Sequence, residues 1–185
     1  MIQRATPTAA ELYEEAVRAT GKIMAAIQPG QLNNPTPCTE WNVQAVLNHL
    51  ATGAARALAT MSGTEAQEPT GDATAADFAD TTSKVLELAK APGAMEKTVT
   101  TRRGDVPAGE FLTGSFMDTL IHGWDLAVAT DQDTTLPGVL VEACYAAFEP
   151  RIDKERTGGP FATYVAMPEA ASTQAKLLGL LGRTA

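Results

Sequence analysis

The sequence predicts an all-α protein: a four-helix bundle interrupted by a short extended or hairpin excursion and closed by a C-terminal helix. Three observations carry this prediction. Apolar residues recur three and four positions apart through most of the chain. Alanine is abundant while aromatics make up only 5 % of the 185 residues, so core side chains are small and helices can approach closely. β-Branched alternation is confined to one short stretch, "KTVTT".

The elements follow in order. Thr8 is a candidate N-cap with Glu11 three residues on, a capping-box pattern. Leu12, Ala16, Ala19, Ile23 and Ile27 then recur at helical spacing, which predicts a helix over 9–27. "QPGQLNNPTPCTE" is a turn-rich connection with three prolines. Asn42 is the candidate N-cap of the second helix, "WNVQAVLNHLATGAARALATM", in which Val46, His49, Leu50, Gly53, Ala57 and Leu58 fall on neighbouring faces. "SGTEAQEPTGD" is a polar loop. "TAADFADTTSKVLELAKA" predicts a third helix, apolar at Phe78, Val85, Leu86 and Leu88. "KTVTT" followed by "RRGD" predicts a hairpin with a turn at Arg103-Gly104-Asp105. "AGEFLTGSFMDTLIHGWDLAVAT" is the fourth helix, and "LPGVLVEACYAAFEPRI" the fifth, with Pro137 near its first turn. "FATYVAM" reads as extended, and "EAASTQAKLLGLLGR" as the last helix.

Bulk properties bound the function. The length suits one domain spanning 1–185. A net charge of −8 and a pI near 4.7 disfavour nucleic acid and anionic membrane surfaces as partners. No apolar run approaches the ~18 residues of a membrane span, and the N-terminus lacks the apolar core of a signal peptide. A cytoplasmic location and a small-molecule substrate are therefore expected. The two cysteines, Cys38 and Cys144, make neither a disulfide framework nor a zinc cluster.

The chemistry gathers around the two histidines, His49 and His122. Asp118 and His122 stand at i and i+4 on the fourth helix, so their side chains share one face, and Asp125 follows three residues after His122. This spacing lets a helix offer two metal ligands and a carboxylate behind them; His49 on the second helix could supply a third ligand from across the bundle. Two imidazoles and a carboxylate form a facial set with positions left open. Taken alone, such residues are more often a satisfied core pair than a metal site.

The wider sequence adds a resemblance. "TPCTEWNVQAVLNHL" and "HGWDLAVAT" resemble the two signatures of the DinB-like metal-binding proteins related to the N-terminal domain of mycothiol-dependent maleylpyruvate isomerase. "GGPFATYVAMPEAASTQAKLLGLLGR" is similar to the ending of the single-domain actinobacterial branch. The resemblance covers nearly the whole chain in the right order. It implies a four-helix bundle with a divalent metal at one end of its core and His49, His122 and Asp118 as ligands. It implies zinc as the usual metal, with nickel or iron as alternatives, and mycothiol as a co-substrate. Glutamate is expected at the third ligand position in most relatives of this branch. Asp118 is one methylene shorter, so it ligates if the helices sit closer, or through water. The isomerase itself carries a second, C-terminal domain, so maleylpyruvate isomerisation does not transfer with the fold.

Further candidates have two readings each. Arg56, two turns after His49, either clamps a substrate carboxylate or reaches solvent. Asp125 either accepts the free ring N–H of a ligating histidine or is an ordinary surface aspartate. Cys38 is either a packed small residue or a thiol near the metal. Trp41 and Trp124 read as core packing, with a pocket wall as a secondary role. Gly53 and Gly114 either leave room beside the metal or make tight helix contacts. The expected activity is thus a metal-dependent mycothiol S-transferase or isomerase acting on a small electrophile. A thiol-independent metal hydrolase or lyase, or a non-catalytic or degenerate metal-binding module, are the alternatives. A homodimer is the expected assembly.

Overall fold

The computed structural model describes residues 6–155 and 162–184. The chain divides into two compact units, Met1–Thr134 and Thr135–Ala185.

The first unit is the four-helix bundle. Its helices are α1 (Ala9–Ala26), α2 (Val43–Ser62), α3 (Ala75–Ala89) and α4 (Ala108–Ala129). α1 packs on α3 and α4, and α2 packs on the same two. Local chemistry sets the helix starts. Thr8 and Glu11 form the capping box at α1, with the Thr8 N–H donating to Glu11 Oε2 at 2.8 Å. Asn42 Oδ1 accepts from the Ala45 N–H at 2.9 Å. Thr74 and Asp77 make a second capping box at α3. α2 ends at Gly63, whose φ of 70° is left-handed and suits a residue without a Cβ.

Tyr13, Ala16, Thr20 and Met24 of α1 are buried. Met24 joins Val43, Val46, Leu47, Leu50, Ala54, Phe78 and Leu126 in one core cluster drawn from all four helices. α1 and α4 approach closely at Gly123: a Cβ there would lie 2.2 Å from Thr20 Oγ1. Thr20 donates that hydroxyl to the Thr119 carbonyl at 3.0 Å, a side-chain bond linking the two helices.

Between α3 and α4 lies the expected hairpin, β1 (Thr98–Thr101) and β2 (Gly104–Pro107), antiparallel with Val99 opposite Val106. The turn falls at Arg102 and Arg103, earlier than the Arg103-Gly104-Asp105 expected: Gly104, at φ 110°, and Asp105 already belong to β2, paired with Thr101 and Thr100.

The second unit holds α5 (Gly138–Phe148) and α6 (Thr173–Leu180), which pack together. Both are shorter than their sequence patterns. Glu149 still has helical backbone and donates its N–H to the Tyr145 carbonyl, but Pro150 has no N–H to continue the ladder, so α5 ends at Phe148 with Glu149 as its C-cap. α6 begins late because Ser172 caps it, accepting from the Ala175 N–H at 3.2 Å, while a turn from Pro168 occupies the preceding residues. The segment from 162 to 167 is non-helical, as expected. Its Val165 N–H donates to the Gly179 carbonyl at 2.9 Å, an approach only glycine permits on α6. Phe161 and the preceding "GGP" lie outside the described residues. No helix among the described residues is long and apolar enough to cross a membrane.

Candidate metal centre

α4 is buried nearly all round in its second half. From Phe116 to Ala127 every residue is buried except Asp118 and His122. These two, one turn apart, are the part of this helix face left open for polar chemistry. His49 of α2 meets them there. One ligand atom from each of His49, Asp118 and His122 lies within 4.8 Å of the others.

Asp118 is the hinge of the group. Its Oδ2 is 3.0 Å and its Oδ1 3.2 Å from His49 Nε2. The same Oδ1 is 3.7 Å from His122 Nε2. Donors on a metal at about 2.0–2.2 Å stand roughly 3.3 Å apart at tetrahedral angles, so this spacing suits one ion. Two neutral imidazoles with one carboxylate also give a single-charge donor set that fits a borderline divalent metal. Aspartate reaches His49 despite its short side chain, and Gly53 of α2 stands beside it. A Cβ on Gly53 would be only 3.9 Å from Asp118 Oδ2, so the carboxylate lies against a glycine backbone.

Exposure is graded across the three: the side chains are 32 % exposed at His49, 44 % at Asp118 and 12 % at His122. Solvent therefore reaches the carboxylate side, while His122 is rooted in the core. Its root is Asp125. His122 Nδ1 lies 3.0 Å from Oδ2 of Asp125, whose side chain is fully buried. A carboxylate only accepts, so Nδ1 carries the hydrogen and the Nε2 lone pair faces Asp118 and His49.

Trp41 stands over both imidazoles. Its ring centroid is 4.7 Å from that of His49 and 5.4 Å from that of His122, tilted by 40° and 36°. The two imidazoles meet edge to face at 4.6 Å. Tyr13 of α1, buried, has its phenol pushed up by desolvation first and by the Asp118 charge second. It stays neutral throughout the physiological range.

The remaining candidates sit as follows. Arg56 pairs with Glu68, donating to Oε1 from Nε at 2.9 Å and from Nη2 at 2.8 Å, and so ties α2 to the loop that follows it. Cys38 is half-buried in the loop before α2, where its carbonyl accepts from the Trp41 N–H at 2.8 Å. Cys144 is buried in α5, its thiol pushed up to about 12 by desolvation. Gly53 borders Asp118, whereas a Cβ on Gly114 would meet open space. The close-packed glycine of α4 is Gly123, which periodicity alone does not distinguish. Tyr13 too is missed by sequence reading, since the influence of Asp118 on it depends on α1 packing against α4.

Residues 13–127, which include all three clustered side chains, match the model of the mycothiol maleylpyruvate isomerase N-terminal domain. The chain belongs to that family. Its signatures "TPCTEWNVQAVLNHL" and "HGWDLAVAT" supply Trp41 and His49 on one side and His122 and Asp125 on the other. Two uncharacterized proteins from two strains of Mycobacterium tuberculosis are each 29 % identical over 175 residues, covering 93 % of this chain and 96 % of theirs. The crystal structure of the mycothiol-dependent maleylpyruvate isomerase aligns with a TM-score of 0.55 at 16 % identity. That alignment covers 75 % of this chain and 67 % of that one. This likeness shows the shared all-α, DinB-like fold.

Proposed function

We propose that this chain holds a divalent metal, zinc in the first instance and nickel or iron as alternatives, at His49, Asp118 and His122. We propose further that it acts with mycothiol as a thiol S-transferase or isomerase on a small electrophilic substrate. One observation carries the reading: two imidazoles and a carboxylate converge within 4.8 Å. Asp125 supports it, because a buried carboxylate behind His122 presents the ring nitrogen that ligation needs. Membership of a family named for a mycothiol-dependent isomerase supports the choice of thiol.

A metal at this site supplies a Lewis acid that keeps a bound thiol as thiolate. The chain's own residues divide the rest. His49 and His122 contribute neutral nitrogen donors, and Asp118 contributes the only negative charge among the three. Asp125 fixes the His122 tautomer. Asp118, the most exposed of the three, marks the side from which thiol and substrate approach. Tyr13, a buried phenol that feels the Asp118 charge and stays neutral, adds no charge of its own.

The test is elemental analysis of the purified protein beside His49→Ala and Asp118→Ala. About one zinc or nickel per chain, absent from both variants, supports the three-ligand centre and makes thiol transfer from mycothiol the next assay. Metal lost only in His49→Ala places Asp118 outside the ligand set. No metal after supplementation overturns the metalloprotein reading and leaves Asp118 as a carboxylate hydrogen-bonded to His49 and adjacent to His122. A rate independent of thiol would instead favour a hydrolase or lyase.

A further inference from the structure

We infer that Trp41 is a positioning residue of the metal centre: its indole holds the His49 and His122 imidazoles in their ligating orientations before the metal arrives. The inference rests on the metal reading above and extends it to a residue outside the ligand set.

The geometry begins in the loop before α2. An isolated bridge joins Pro35 to Asn42, and the Trp41 carbonyl accepts from the Thr36 N–H at 3.3 Å and from Thr36 Oγ1 at 2.8 Å. The Trp41 N–H donates to the Cys38 carbonyl at 2.8 Å. The tryptophan backbone is thus bonded through both its polar groups. The same loop is fastened to the far end of α4. Asn34 Nδ2 donates to the Ala129 carbonyl at 2.9 Å, and Gln31 Nε2 donates to the Thr130 carbonyl at 3.1 Å. Trp41 therefore sits in a loop anchored to both ligand-bearing helices.

Trp41 packs against the core cluster drawn from all four helices, and its indole also contacts both imidazoles. Each imidazole has few ways to turn. His122 is held by Asp125 and the indole together, whereas among the described residues the ring of His49 is hydrogen-bonded to Asp118 alone. For His49 the indole supplies the orienting contact that Asp125 supplies for His122. A large, stiff ring is suited to this, because it covers two neighbours at little conformational cost of its own. Pre-ordering ligands in this way is a means of raising metal affinity without adding a ligand.

The experiment uses the whole chain and needs no activity. Because the protein has two histidines, a proton–nitrogen or proton–carbon spectrum of the metal-free protein shows two imidazoles. Trp41→Leu keeps apolar bulk against the core and removes the ring, and Trp41→Phe keeps a ring. Far-UV circular dichroism checks that each folds, and Trp41→Met is read the same way if the leucine variant does not. The expected result is that both imidazole signals move in Trp41→Leu, as the indole ring current is lost. Zinc dissociation constants, measured by competition with a chelator, should rise about ten-fold in Trp41→Leu, the lower end for loss of a residue supporting a ligand. They should rise less than about threefold in Trp41→Phe, which retains ring packing. Unchanged zinc affinity in Trp41→Leu beside a parent that binds zinc overturns this inference and leaves the metal reading standing. A parent that takes up none of zinc, nickel and iron overturns both.

Discussion

Replacing Gly123 by alanine tests the packing that holds α4, and with it His122, in place. The added Cβ would stand 2.2 Å from Thr20 Oγ1, 3.1 Å from Thr20 Cβ and 3.2 Å from Thr20 Cγ2. Rotating the threonine can relieve the first contact only by breaking its 3.0 Å bond to the Thr119 carbonyl. The contact to Cβ is fixed by the α1 backbone, so the helices must separate. Overpacking of this kind costs about 1–3 kcal/mol, and the lost hydrogen bond adds about 1 kcal/mol. Alanine returns about 1 kcal/mol through its better helix propensity. The net is a loss of about 2 kcal/mol, or roughly 4–8 °C in Tm at this chain length. Urea denaturation followed by circular dichroism measures it. Thr20→Ala removes Oγ1 and Cγ2 together, so the double variant should be more stable than the sum of the two single changes by about 1 kcal/mol. A Gly123→Ala protein as stable as the parent, or additive behaviour in the double variant, would refute the close α1–α4 contact as the reason for glycine.

Asp125→Asn should weaken zinc binding by about ten-fold or more, because the amide leaves the tautomer of His122 unfixed; chelator competition reads this, and an unchanged affinity counts against the role of Asp125. Burial raises the Cys144 thiol from 9.0 to about 12. A group whose folded pKa is raised gives stability that is whole below its unfolded value and is lost as pH climbs, so urea midpoints should fall from pH 9 upward. The limiting slope is about 1.4 kcal/mol per pH unit for each proton. Tyr13, raised from 10.0, adds to this in the same direction, and Cys144→Ala should flatten the alkaline slope. In native protein at pH 8 a thiol reagent should modify Cys38, which is half-buried, well before Cys144; equal rates would show that α5 opens readily. Thr8→Ala should cost about 1 kcal/mol of stability by removing the capping box of α1, again read from urea midpoints.

The sequence by itself determined the helices of the bundle and much of what they display. Period and caps are local properties: Thr8 with Glu11, Asn42, and the turn chemistry of "RRGD" act within a few residues, and the elements begin where those residues say. The i, i+4 pair Asp118 and His122 was legible for the same reason, since a helix fixes their relation without tertiary help. The ends of α5 and α6 were less legible because apolar periodicity runs past the points where Pro150 and Ser172 interrupt the backbone.

Only the tertiary structure decided what meets what. That His49 comes within 3.0 Å of Asp118 depends on how α2 packs against α4, which no local pattern states. The place of Trp41 over both imidazoles depends on a proline-rich loop fastened to the end of α4 some 95 residues away in sequence. The two readings of Arg56 and the two of Asp125 were equal on sequence, because spacing says nothing about partners. Glu68 engages the first, and His122 engages the second from a fully buried position. Burial and partnership are sums over contacts between distant segments, and no local pattern encodes them.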